Sequence, residues 1–310
     1  MISASFPAFR VLFMLAFCLA LMPAPGQAAS PVTDWQEVTL TGMRGVSLAV
    51  TELPQGGWYS YRMDIGWKAA RSTDGINWDP LEGFSPPPNP PPPGNNTNPW
   101  VFLLADGRYR MIYEQQDDQQ NRRLFSAISS DGLSFANEGQ VMAGSQEDQG
   151  PEGNMFLSVP CGPRLPDGSL RMYFVSQGDK VASALSHDEG LTWQREPGYR
   201  LDQAVDPAVL ALPGGGFRLF YTDWSDAFRV RRVGYADSLD GLAFVHQEWV
   251  VTVGGAGSMV DPEVLAIGDP AAGGRMVLYF SMGDDMENID IYRAFPPEGW
   301  SLEPYPRSRP

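Results

Sequence analysis

Residues 186–193 read SHDEGLTW. One residue shorter, the same phrase returns as STDGINW at Ser72–Trp78, SSDGLSF at Ser129–Phe135 and SLDGLAF at Ser238–Phe244. The order is always serine, aspartate, glycine, aromatic. The aspartates Asp74, Asp131, Asp188 and Asp240 lie 57, 57 and 52 residues apart. Self-similarity at such a period marks a chain built from one repeated supersecondary unit. A degenerate fifth copy ends at Gly299-Trp300.

A second phrase precedes the first. Residues 98–113 read NPWVFLLADGRYRMIY, 159–174 read VPCGPRLPDGSLRMYF, 206–221 read DPAVLALPGGGFRLFY and 261–280 read DPEVLAIGDPAAGGRMVLYF. Each is an apolar strand, a glycine-bearing turn and an alternating strand with aromatic residues. Leu48–Arg62 follows the plan loosely. Each unit therefore reads as strand A, tight hairpin, strand B, variable loop, strand C, the Asp-Gly turn and strand D. No helical periodicity competes with this after the N-terminal segment. Five units of four antiparallel strands predict an all-β, five-bladed β-propeller. Closing the ring shields sheet edges that a linear β-solenoid would expose at its ends. Trp35–Leu40 (WQEVTL) is similar to the D-strand segment at Thr192 and is a candidate to pair with the last blade. The low-complexity stretch Ser85–Asn98 (SPPPNPPPPGNNTN) reads as a stiff polyproline excursion between the first two blades.

The N-terminus reads as an export signal. Arg10 precedes the apolar run Val11–Met22, too short to span a bilayer, and Gly26-Gln27-Ala28 offers small residues for cleavage after Ala28. Residues 1–28 are thus expected to be a signal peptide and 29–310 a single propeller domain, secreted or periplasmic. No later run is long enough to cross a membrane. Without residues 1–28 the net charge goes from −15 to −16. So acidic a surface repels nucleic acid and anionic lipid and suits a neutral or cationic ligand. Cys161 is then the one cysteine, which rules out an intrachain disulfide. It sits in an apolar strand and reads as buried and inert. Two histidines, His187 and His246, leave little room for histidine-based zinc sites or Ser-His-Asp catalysis.

Ser186–Trp193 resembles the Asp-box of sialidases and related propellers. The shorter copies, with Asp206-Pro207 and Asp261-Pro262 at strand starts, resemble the five-bladed glycosidase propellers of the arabinanase, invertase and levansucrase group. The resemblance implies a propeller acting on glycosidic bonds, with acids at several strand-A starts. Here those positions hold Ser47, Asn98, Val159, Asp206 and Asp261. Val159 stands where the arabinanase-like pattern suggests a general acid, and Glu152 lies seven residues earlier. A sialidase would need a sixth blade and a cluster of three arginines. Arg110, Arg171 and Arg218 instead recur at repeat-equivalent places, as structural residues do.

The start of A and the end of B reach the same rim of the central channel, so chemistry is expected there. The catalytic candidates are Asp206, Asp261 and Glu152, because glycoside hydrolysis needs one protonated and one ionised carboxyl group. Asn98, Trp100, Glu114, Asp223 and Trp224 are the substrate-binding candidates, since carboxylates and aromatic faces suit the hydroxyls and C–H faces of a sugar. No metal site is assigned and no cofactor is expected. Asp284, Asp285 and Glu287 cluster hard oxygen ligands and make Ca²⁺ the one ion to consider. The Asp-Gly turns are assigned to folding, on the face opposite the ligand. Two functional classes follow: an exported glycoside hydrolase acting on a poly- or oligosaccharide, and a non-catalytic envelope propeller that binds glycan or protein at the same rim.

Overall fold

A computed structural model of the protein describes residues 35–89, 94–225, 231–251, 258–268, 274–283, 289–297 and 300. The expected signal segment, the Asp284–Glu287 cluster and Asp226 of the Trp224 loop lie outside them.

The first blade follows the strand β1 (Gln36–Arg44) in sequence without pairing with it. It contains β2 (Val46–Glu52), β3 (Trp58–Asp64), β4 (Gly66–Ser72) and β5 (Asp79–Pro80). Blade 2 is β6 (Asn95–Leu103), β7 (Tyr109–Gln116), β8 (Arg122–Ser129) and β9 (Ala136–Met142). Blade 3 is β10 (Leu157–Cys161), β11 (Leu170–Ser176) and β12 (Lys180–Ser186), with an outer strand split into β13 (Gln194–Arg195) and β14 (Leu201–Asp202). Blade 4 is β15 (Ala204–Ala211), β16 (Phe217–Asp223), β17 (Val233–Ser238) and β18 (Val245–Val251). Blade 5 is β19 (Ser258–Ile267), β20 (Arg275–Gly283), β21 (Ile289–Phe295) and, outermost, β1 (Gln36–Arg44). The fold is the five-bladed propeller the repeats predict, and β1 closes the ring by pairing antiparallel with β21. Thr41 Oγ1 donates to the Ile291 carbonyl at 2.7 Å across this seam.

Burial grades outward along each blade. The second strands are buried almost throughout, as in β11 and β16, because neighbouring blades cover both their faces. The outer strand β9 alternates exposed and half-buried positions, as expected of a strand wet on one side. The A–B hairpins repeat one hydrogen-bond pattern: Leu104 N–H donates to the Arg108 carbonyl and Gly107 N–H to the Leu104 carbonyl, and the Leu53, Leu165 and Leu212 turns match it.

Each Ser-x-Asp turn is held by its own side chains. In the second copy, Asp131 Oδ1 accepts the Leu133 and Ser134 N–H groups, and Ser129 Oγ accepts that of Gly132. Those backbone donors hold the Asp131 carboxyl below its ordinary range. A Cβ on Gly132 would lie 3.1 Å from both the Tyr59 ring and the Tyr61 hydroxyl, so the turn seats directly against the preceding blade. There Tyr61 donates to the Gly132 carbonyl at 2.9 Å, as Tyr173 does to Gly241 at 2.8 Å and Tyr279 does to Gly75. The repeated arginines complete this belt: Arg110 pairs with Glu138, Arg171 with Glu196 and Arg218 with Asp237. The degenerate fifth copy keeps its aromatic residue: Trp300 packs on Trp35, Tyr235 and the Arg218 guanidinium.

The polyproline stretch is shorter than its composition suggests. Asn95–Asn98 already belongs to β6, and Asn96 is buried, donating to the Pro87 carbonyl at 3.2 Å. Residues 90–93 lie outside the described residues.

Candidate functional site

Every innermost strand carries a β-bulge at the same place. The register slips between Val46 and Ala49, Thr97 and Trp100, Ser158 and Cys161, Val205 and Ala208, and Val260 and Glu263. Inside each bulge one residue has a left-handed backbone: Ser47, Asn98, Val159, Asp206 and Asp261, with φ of 55°, 50°, 47°, 52° and 52°. That region is uncommon for any L-residue and an outlier for a β-branched one such as Val159. The bulge re-aims a side chain that the pleat would otherwise send between the blades. All five residues line one axial cavity of about 150 Å³. Residues separated by up to 214 positions thereby share one chamber.

Asp206 and Asp261 meet on the side of the cavity formed by blades 4 and 5. Asp206 Oδ2 accepts the Thr222 hydroxyl at 2.8 Å and the Asp261 backbone N–H at 3.4 Å. Burial pushes the Asp206 carboxyl up, opposed by these two donors and by the positive charge of Arg231. Asp261 is pushed up much further, by burial and then by the negative charge of Asp206, and only the Ser47 N–H opposes this. Two carboxyl groups this close cannot both ionise at low penalty. Of the pair, Asp206 has more of the donors that favour a charged carboxyl group, and Asp261 has fewer.

Ser47 donates to Asn98 Oδ1 and Asn98 Nδ2 donates to Glu114 Oε2, each at 2.5 Å. Glu114 is buried beneath the cavity wall, where it also accepts from Ser158 at 2.5 Å and faces Arg122 at 3.6 Å. Polar contact thus runs along one arc from Thr222 to Ser158. Val159 leaves the blade 3 wall apolar.

The other expected site residues fall in different places. Trp100 lines the cavity but is largely buried, packed on Phe102 and Trp193 at 4.6 and 5.9 Å between ring centroids. Asp223 is buried and ion-paired to Arg232 at 2.8 Å; hydrogen bonds from Ser225 and Arg232 overcome burial and hold its carboxyl below the ordinary range. Trp224 is exposed on the rim with the Arg231 guanidinium 3.4 Å over its ring. Glu152 is exposed at the tip of a turn closed by Gly150 and Gly153, and it does not line the cavity. Its neighbour Asp148 is buried against Arg195 and Ser176, at 3.0 and 2.9 Å.

One ionisable cavity residue, Glu263, was not among the candidates the sequence offered, and a second, Cys161, was expected elsewhere. Glu263 stands two positions beyond Asp261 on β19 and lines the same chamber. Burial pushes its carboxyl up to about 8, with the Val50 N–H opposing. The signal was its even spacing from Asp261, which the bulge preserves. Cys161 also lines the cavity, half-buried rather than fully buried as expected; burial, then the charge of Glu263, push its thiol up.

No family model matches the chain, and no curated protein does. Solved structures do. A thermostable family-43 glycoside hydrolase superposes with a TM-score of 0.62 at 13% identity, over 90% of this chain and 100% of that one. The endo-arabinase from Bacteroides thetaiotaomicron VPI-5482 gives 0.61 at 14%, over 86% and 99%. A putative exo-β-1,3-galactanase from Bifidobacterium bifidum s17 gives 0.64 at 14%, over 81% and 87%. The chain has their fold; at such identities the likeness extends no further.

Proposed function

We propose that the protein acts on a carbohydrate in the axial cavity as a glycoside hydrolase, with Asp261 as proton donor and Asp206 as its charged partner. The observation that carries this reading is the pair itself: two adjacent carboxyl groups in unequal surroundings, Asp206 with more donors than Asp261, delivered by equivalent bulges to a cavity that holds about one ring. A cavity of roughly this volume takes up benzene in a protein core. The chamber therefore suits the terminal unit of a chain, with the rest of the polymer outside on the rim. In the reaction Asp261 gives its proton to the glycosidic oxygen as the C–O bond breaks. The Asp206 carboxylate stabilises the cationic sugar left behind, and water adds to it, returning a proton to the pair. The apolar run Val11–Met22 supports export, which would bring polymers too large for a cell within reach.

Ser47, Asn98 and Val159 at the other bulges favour a second reading, a propeller that holds a glycan without cleaving it. Reducing-sugar release and calorimetric binding, measured over one polysaccharide panel, separate the two. Hydrolysis predicts release by the wild type and its loss in both Asp206→Asn and Asp261→Asn, with unfolding curves that show intact folds. Binding without release by the wild type selects the second reading, and neither binding nor release sinks both.

A further inference from the structure

We propose that Glu263 is a specificity-determining residue of the axial cavity, which fixes the orientation of the sugar by hydrogen bonding one of its hydroxyl groups. This rests on the carbohydrate reading above and deepens it. Across the registers Glu263 pairs with Tyr279 as Ala49 pairs with Tyr61, Trp100 with Ile112, Cys161 with Tyr173 and Ala208 with Phe220. The position beyond each bulge is thus apolar or weakly polar in four blades and a carboxyl group in one. A ring that enters the cavity meets Trp100 and Cys161 as flat or soft walls and Glu263 as the one strong hydrogen-bonding group of this layer. Sites of this kind take orientation from a few placed polar groups within apolar walls.

The carboxyl group has capacity to spare. Oε1 accepts the Val50 N–H at 3.2 Å, and no other hydrogen bond to it is found among the described residues. The second oxygen is open to a ligand hydroxyl, and burial, which pushes the carboxyl up to about 8, favours the protonated form that can donate to one. The titratable groups that face it are Cys161 from β10, Tyr279 from β20, Asp261 one bulge away on its own strand, and Asp206 from β15. A site built around such a donor discriminates against the analogue that lacks the hydroxyl, because the carboxyl group is then left unpaired.

Cys161 provides a reporter that does not depend on turnover. The full chain would be treated with a small maleimide, with and without free monosaccharides and their monodeoxy analogues, and labelling at Cys161 followed by peptide mass spectrometry. The wild type should be protected by at least one monosaccharide, with about tenfold weaker protection by one of its deoxy forms. Glu263→Leu should abolish that difference. Glu263→Gln should retain it, and the wild-type protection ratio should fall above pH 8 while that of Glu263→Gln stays level. Unchanged discrimination in a folded Glu263→Leu overturns this proposal alone. A wild type that no sugar protects overturns it together with the carbohydrate reading.

Discussion

Replacing Glu263 with glutamine should stabilise the protein, and more so as the pH rises. In the unfolded chain the carboxyl group titrates near its ordinary value of 4.5; in the folded protein it titrates at about 8. Between those values the folded state holds a proton that the unfolded state has released. Stability therefore falls with rising pH, by up to about 1.4 kcal/mol per pH unit. The loss amounts to roughly 3 kcal/mol at pH 7 and about 5 kcal/mol once the folded carboxyl group is ionised. It is fully absent below pH 4.5. Glutamine keeps the shape and the acceptor for Val50 N–H but has no charge to bury. Chemical denaturation of both proteins at half-unit steps from pH 4.5 to 8.5 measures the difference directly. Asp206 and Asp261 tilt both curves alike, so the gap isolates Glu263. At pH 7 the gap corresponds to about 5 °C in melting temperature for a chain of this size. Parallel curves across that range would show that the Glu263 carboxyl group is not held neutral, and the reasoning would fail.

Thr222→Val removes the hydroxyl donor to Asp206, so the Asp206 titration should move to higher pH, seen as a higher midpoint for that carboxyl resonance in a ¹³C NMR titration; an unmoved midpoint would contradict the Thr222–Asp206 hydrogen bond. Tyr173→Phe should lower stability by about 1 kcal/mol through loss of the bond to the Gly241 carbonyl, measured by urea unfolding. Trp35→Ala opens the seam between blades 4 and 5 and should lower stability by about 3 kcal/mol or more; a loss within 0.5 kcal/mol would mean the ring does not depend on that contact. Asp240→Ala removes three hydrogen bonds to one carboxylate, two of them from backbone N–H groups, and should lower stability at neutral pH by about 2 kcal/mol. The folded Asp240 titrates at about 2, below its ordinary value of 3.8, so the penalty should shrink as the pH falls from about 4 towards 2.

The ring was legible in the sequence because its devices repeat. A serine, an aspartate and a glycine at fixed spacing describe a turn whose bonds are local, and the same local bonds are found in each copy. Asp206 and Asp261 were legible for a similar reason: each precedes proline at the start of an inner strand. What the sequence could not carry was partnership. Glu114 and Asp223 stand at strand ends as expected of ligand-binding acids, yet Asn98, Ser158 and Arg122 occupy one and Arg232 the other, and those partners come from other segments of the chain. Glu152 is near in sequence to the third bulge but sits on a turn whose own glycine hydrogen bonds direct it to solvent. The bulges themselves could not be read, because alternation predicts a pleat and each bulge breaks it by one residue. That break aims Ser47, Asn98, Val159, Asp206 and Asp261 into the chamber. Asn95–Asn98 shows the converse, a polar stretch of loop-like composition drawn into β6 by pairing with β7.

The seal between β1 and β21 sets the order in which the molecule can be made. Blades 1 to 4 each use strands consecutive along the chain, so they can form as the chain emerges from a ribosome or a translocation pore. The last blade needs its earliest segment and its latest, 250 positions apart at the Thr41–Ile291 bond. Until the end arrives, β1 waits without a partner. A chain stalled at that stage is a gapped circle with a spare strand, and a second copy in the same state offers the vacant edge that strand fits. A strand exchanged in that way would make the same bonds that close the ring within one chain.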